Sequence, residues 1–334
     1  MIRVALIVVF SVALPLALKA ADQAFYISFA SRVLVYALAA TSLNLVLGYG
    51  GMVSFGHAAF VGAGAYASSI LLVEGVSSAW IGWPVAALAA GLAALAVGAI
   101  SLRTRGVYFI MITLAFAQMA YYLVNSMKAY GGDEGLTLPG RASLGFGEGF
   151  GPGFRADLAD DVTFYYVALA LLAAALVALH RLAASRFGRM LAAVRENEAR
   201  AEALGFPTYR CRLVAFGIAG AAAGLAGALL ASHGKYVNPG VLHWTQSGTL
   251  LVMVILGGVG RLWGGVLGAA ALLLLEHVFS DIRIDWLAAL APNYQQHASF
   301  AVGVVLLLVV LFAPQGIAGI AGQLRARRPS GSRA

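Results

Sequence analysis

The side chains able to do chemistry in this chain are few and concentrated. From Arg186 to Phe206 the sequence reads RFGRMLAAVRENEARAEALGF, where Arg186, Arg189, Arg195 and Arg200 alternate with Glu196, Glu198 and Glu202. Their chemistry is recognition, by ion pairs and charged hydrogen bonds to a partner surface. Apolar Met190, Leu191, Val194, Ala201 and Leu204 recur every three or four residues, which gathers them on one side of a helix. Gly205 and Pro207 supply a stop. The spacing predicts one or two short amphipathic helices lying outside any bilayer and bent near Asn197.

A second unusual stretch is Gly48 to Tyr66, GYGGMVSFGHAAFVGAGAY. Its glycine density predicts close backbone approach, a broken helix, or both. A broken helix exposes donors and acceptors that can line a pathway through a membrane, whereas small residues also serve tight helix packing. Both readings stand, and the candidates for pathway lining are Asn44, Gly51, Ser54 and His57. For His57 itself, a packed and hydrogen-bonded ring is the plainer reading. A later cluster, LGGVGRLWGGVLGAA, carries Gly257, Gly258, Gly260, Gly264, Gly265 and Gly268 around Arg261 and Trp263. It reads as a tight hairpin between two spans. One glycine-rich cluster in each half hints at an internal repeat.

Several chemistries are absent from the sequence. It has no G-x-x-x-x-G-K-[ST] loop for nucleotide phosphates, and Gly234-Lys235-Tyr236 is no substitute. It has no H-E-x-x-H or Cys/His cluster for a metal, and Gly62-x-Gly64 lacks the context of a dinucleotide fingerprint. Acids near mid-membrane, which a proton-driven carrier places there, are scarce. Glu276 and His277 fall towards the end of a span, where structural or interfacial roles are expected. No cofactor is expected.

These residues must be positioned by membrane helices. The 334 residues are 61% hydrophobic and only 11% charged, with mean hydropathy +0.86, whereas a soluble domain carries about 25% charged residues. The class is an all-α polytopic membrane protein of about ten spans. Apolar runs place them near 3–21, 31–48, 51–73, 80–102, 106–127, 163–183, 212–232, 245–260, 263–280 and 298–313. The first twenty residues resemble a signal peptide but lack its small-residue cleavage pattern, so 3–21 is read as a retained span. With both termini inside, most basic residues fall on the inner face, the charged island among them. Lys19, Arg32, Lys128, Arg141, Arg155, Lys235 and Arg283 stay outside. The positive-inside rule therefore favours N-in, C-in. It also accounts for the net charge of +8 without a nucleic-acid partner. Cys211, the single cysteine, excludes an internal disulfide and reads as a reduced cytosolic thiol.

The longest outer connection, 128–162, is rich in glycine and acids and reads as irregular backbone with a short helix near Arg155 to Asp160. The basic tail 323–334 reads as disordered beside anionic lipid, leaving 1–322 as one transmembrane domain. Trp80, Trp83, Trp244 and Trp286 fall near span ends, as an interfacial belt does.

Three ordered motifs carry a resemblance that runs from about Ser31 to Gly316. TSLNLVLGYGGMVSFGHAAFVGAGAYA, then RENEARAEALGF with AFGIAGAAAGLAGALLA, then LGGVGRLWGGVLGAA resemble the permease subunits of bacterial ABC importers for branched-chain amino acids. The resemblance implies a vitamin-B12-importer-like permease in the inner membrane. Its partners would be a second permease chain forming a hetero-dimer, two cytosolic ATPases that hydrolyse ATP, and a periplasmic substrate-binding protein. It also implies that Met190, Leu191, Val194, Arg195, Glu196, Glu198, Arg200, Leu204 and Gly205 contact the ATPases. The importer class carries E-A-A-x-x-x-G in this loop. Here Ala199-Arg200-Ala201 precedes Gly205, so the role is carried over by position and amphipathic pattern. Asn44, Ser54 and His57 suit a zwitterion or an amide equally, which keeps urea and short amides as a second substrate class. A stand-alone secondary transporter is the remaining alternative.

Overall fold

The computed structural model describes residues 13–16, 18–19, 23–144, 158–281, 298–312 and 315–319. Most of the expected first span, the stretch 145–157, Trp286 and the basic tail lie outside the described residues. Helix α1 runs Ala24–Asn44 and continues as one wider π-helical turn, Leu45–Tyr49. It is followed by α2 (His57–Val73), α3 (Ala79–Ser101), α4 (Val107–Ser126) and α5 (Asp161–Ala184). Two short helices come next, α6 (Arg186–Glu196) and α7 (Glu198–Ala203). Then follow α8 (Thr208–Gly234), α9 (Trp244–Gly257), α10 (Gly264–Asp281) and α11 (Ala298–Phe312). Among the described residues, five helical segments are long and apolar enough to cross a membrane: Ala24–Tyr49, Ala79–Ser101, Val107–Ser126, Asp161–Ala184 and Thr208–Gly234. Helices α2, α9, α10 and α11 are apolar but shorter.

The centre is α8, 27 residues long and therefore about 40 Å. It packs against α3, α2 and α1. Helix α3 shows why the packing works. Gly82, Ala86, Ala90, Ala94 and Gly98 recur every four residues and are buried, while Trp80, Ile81, Leu88, Leu92 and Ile100 are exposed. Small residues inward and large residues outward is the inverse of a soluble helix. In lipid, burying a leucine gains little, so close van der Waals approach decides which face turns in. The approach reaches backbone contact where α2 crosses α8. A Cβ on Gly64 would stand 2.1 Å from the Gly224 carbonyl oxygen.

Contacts between distant segments divide the bundle into two ends. At one end, Lys128–Leu144 forms two 3-10 turns and a two-residue strand β1 (Leu136–Thr137), paired antiparallel with β2 (Tyr236–Val237). Arg141 fastens this stretch to the start of α5. It donates to Leu158 O (3.0 Å) and Asp161 Oδ1 (2.6 Å), and its guanidinium lies over the Phe164 ring at 4.9 Å. Residues 158–160, at the edge of the expected short helix, form a turn. The other end holds α6, α7 and the glycine turns at residues 48–51 and 257–260.

Candidate functional site

The charged island folds as two helices broken at Asn197, whose backbone is extended (φ −157°, ψ 102°). Ser185 Oγ accepts from Gly188 N–H at the start of α6, and Asn197 Oδ1 accepts from Arg200 N–H (2.9 Å) at the start of α7. Each side chain satisfies a donor that a helix start leaves over. At the end of α7, Gly205 takes φ +83°. Phe206 N–H donates to Ala201 O (3.0 Å) and Gly205 N–H to Glu202 O (2.8 Å). This six-to-one, five-to-two pair is a Schellman stop, which requires the left-handed residue that glycine supplies.

The apolar side of the island faces the chain's own bundle, which corrects the expectation that it is offered whole to a partner. Leu191 and Val194 are 0% and 1% exposed, and Met190 is half-buried against the same core. The amphipathic pattern fixes a direction only relative to the nearest apolar surface, and here α5, α8 and the end of α1 provide it. What remains outward is Leu204, 69% exposed, with Phe206, Glu196, Arg200, Arg186 and Arg189. Glu198 also turns inward. Its carboxylate accepts from Arg212 Nη1 at 2.7 Å and pairs with Arg105 Nε at 3.2 Å, while Glu202 Oε1 accepts from Thr208 Oγ1 at 2.9 Å. Helix α7 is thereby tied to the α3–α4 loop and to the first turn of α8.

Arg195 brings the three sequence motifs together. Its Nη1 donates to Gly48 O at the end of the π-helical turn. The last carbonyls of a helix lack intrahelical partners and carry the negative end of its dipole, so a guanidinium is a fitting cap. Gly51 admits the arginine: it has φ +66°, and a Cβ there would stand 2.8 Å from Arg195 Cγ. Gly260 (φ +76°) lies alongside, where a Cβ would be in ordinary contact with Nη1 at 3.5 Å. Buried Asn44 closes the junction. Its Nδ2 donates to Arg261 O (2.6 Å), and its Oδ1 accepts from Gly260 N–H (2.9 Å).

Residues 50–56 are not helical, yet they are folded into the bundle, with Ser54 and His57 fully buried. The N–H groups at the start of α2 cannot find water there, and neighbouring side chains supply acceptors. Phe55 N–H donates to Thr113 Oγ1 on α4 (3.2 Å), Gly56 N–H to Ser54 Oγ (3.2 Å) and Ala58 N–H to Ser247 Oγ on α9 (2.8 Å). Ser42 Oγ donates to Ala39 O (2.7 Å), which leaves its lone pair for an N–H from His57 Nε2 (2.8 Å). Sequence reading picked out Asn44, Gly51, Ser54 and His57 but missed Ser42, Thr113 and Ser247. The available signal was a single hydroxyl on an otherwise apolar helix face. Among the described residues, no group of three His, Cys, Asp or Glu side chains is placed to hold a metal.

Apolar helices with small residues inside, and a charged helix pair locked onto glycine turns at one end, define a multi-pass membrane protein. Comparison with known proteins agrees. Residues 25–313 match the family described as branched-chain amino acid transport system, permease component, and the chain belongs to that family. The high-affinity branched-chain amino acid transport system permease protein LivM of Escherichia coli is 29% identical over 307 residues, covering 87% of this chain and 69% of that protein. LivH of the same organism is 27% identical over 293 residues, covering 85% and 91%. BraD of Pseudomonas aeruginosa is 25% identical over 296 residues, covering 85% and 91%. No solved structure matches. LivM and LivH bear the name of one transport system, so that system has two related permease chains.

Proposed function

We propose that this chain is one permease of an ATP-driven importer of branched-chain amino acids in the bacterial inner membrane. It pairs with a second, related permease, two cytosolic ATPases and a periplasmic binding protein. The substrate follows from the names of the relatives, and the orientation from the basic residues gathered at the α6–α7 end. The observation that carries the reading is Arg195. It joins α6, the helix best placed to meet a cytosolic motor, to the end of α1. A motor needs such a joint, because a helix free to slide on the bundle would transmit no motion. In this reading Leu204 and Phe206 are the apolar anchors for the ATPase, and Glu196 and Arg200 form a polar rim that sets register. Asn44, Gly51, Ser54 and His57 serve the pathway by holding its inner wall, residues 48–57, in shape.

The test is Leu204→Glu. The side chain is exposed, so the variant is expected to insert normally. It should lose co-purification of the ATPases and leucine uptake. Retention of both would overturn the proposal.

A further inference from the structure

At the end of the bundle opposite the charged island, α1, α8 and α10 line an open cavity of about 350 Å³. Its size falls within the range usual for small-molecule sites. Helix α1 contributes Phe25, Phe29 and Arg32, at i, i+4 and i+7 on one face; α10 contributes Leu273, Glu276 and His277. The walls are held from outside. The Arg32 guanidinium lies over the Tyr36 ring at 5.7 Å. His277 sits against Phe25 and Phe29, with ring centres 5.6 and 5.1 Å apart. His233 Nε2 bonds to Ser28 O at 3.0 Å, which pins α8 to α1. The cavity therefore presents a cation on one helix, a carboxylate on another, and apolar rings beside them.

We propose that this cavity is a binding site within the permease for a zwitterionic, apolar amino acid. The carboxylate faces Arg32, the ammonium faces Glu276, and the side chain lies against Phe25, Phe29 and Leu273. This rests on the amino-acid reading above and adds the site. Charges of both signs are the reason for a zwitterion. A simple anion would bring its charge against Glu276 and a simple cation against Arg32, whereas a zwitterion offers each wall its counter-charge. The ethanolamine headgroup of a phospholipid shares the pairing of ammonium with anion, but a free amino acid also fills the apolar wall.

The experiment uses the complete transporter in nanodiscs of phosphatidylglycerol and phosphatidylcholine, without binding protein. Equilibrium binding of labelled leucine is competed by isocaproate, which lacks the ammonium, and by isoamylamine, which lacks the carboxylate. Wild type should bind leucine saturably. Arg32→Gln should weaken leucine and isocaproate by about tenfold or more while sparing isoamylamine, and Glu276→Gln should weaken leucine and isoamylamine to a similar extent without weakening isocaproate, since each removes one charged hydrogen bond. A structural role would move all three ligands together and sink the proposal. Phe29→Ala, which keeps both charges, should weaken leucine more than alanine, and equal effects on the two would count against the site. Two further results would overturn it: no saturable binding in a complex that does transport leucine, or displacement of leucine by added phosphatidylethanolamine that stays bound in native mass spectra. A complex that does not transport leucine at all, yet shows the charge-selective analogue pattern, would fail the amino-acid importer reading and leave the site standing.

Discussion

Replacing Arg195 by glutamine tests the joint between the charged island and the membrane bundle. The substitution removes a charged donor from Gly48 O while keeping most of the stem that fills the space beside Gly51. A hydrogen bond from a charged group contributes about 1.5–3 kcal/mol. The bond clamps the π-helical turn, whose exit is closed by Gly50 N–H to Leu45 O (3.1 Å), Gly51 N–H to Leu47 O (3.1 Å) and Met52 N–H to Val46 O (3.0 Å). If Arg195 holds this turn closed, its loss raises the open population by about ten- to a hundredfold. Amide hydrogen exchange in nanodiscs should then accelerate by that factor at Gly50, Gly51 and Met52. Amides in the middle of α8 should be unaffected. Because Leu191 and Val194 still anchor α6, the variant, if the chain works in the proposed importer, should still assemble with the ATPases and hydrolyse ATP but import less substrate per ATP. Unchanged exchange at these three amides, with unchanged uptake, would refute the reasoning.

Two further perturbations separate packing from coupling. Gly64→Ala puts a Cβ 2.1 Å from a backbone oxygen of α8, which neither helix can yield without separating, so a marked loss of folded protein is expected by size-exclusion chromatography and thermal shift. Gly82→Ala, with nothing within 4 Å of its Cβ, should be tolerated. Glu198→Ala strips a carboxylate that is 17% exposed from a guanidinium that is 16% exposed and should cost about 1–3 kcal/mol locally, read as protease sensitivity between α6 and α8. Glu196→Ala, on the outward side, should leave that sensitivity unchanged.

Much of the scaffold was legible from residue type alone. The four-residue repeat of Gly and Ala in α3 announces a buried small face, because in lipid only small residues gain from burial against another helix. The break at Asn197 and the stop at Gly205 were equally plain, since both depend on local backbone chemistry. The island's inward turn was not. Amphipathic spacing says that Leu191 and Val194 share a side, but it does not say whether the apolar partner is another subunit or the same chain. Nor was the meeting of the motifs legible. Arg195 and Gly48 lie 147 positions apart and Asn44 and Gly260 lie 216 apart. No periodicity links them, and the contacts exist because several helices end at one level. The two glycine clusters stood out individually, but that Gly51 leaves room for Arg195 beside Gly260 is a fact of tertiary structure.

The consequence reaches across the membrane through α1. Its 26 residues from Ala24 to Tyr49 make a rod of about 39 Å. One end of the rod is capped by Arg195. The other carries Phe25, Phe29 and Arg32 into the cavity facing Glu276. Burial of its inner half, residues 37–44, among neighbouring helices leaves α1 little freedom to bend, and burial of Leu191 and Val194 leaves α6 little freedom to slide. A displacement of α6 must therefore either break the Arg195–Gly48 bond or carry the end of α1 with it. Because the bond caps a helix terminus, the second is the smaller cost as long as α1 can tilt as a unit. Tilting α1 by a few degrees would change the distance between the charged walls of the cavity by an ångström or two, on the order of the length of the rod times the angle. That is enough to make or lose the charged hydrogen bonds that a zwitterion requires. The two sites need no chain of side-chain rearrangements between them, because a single rigid helix belongs to both.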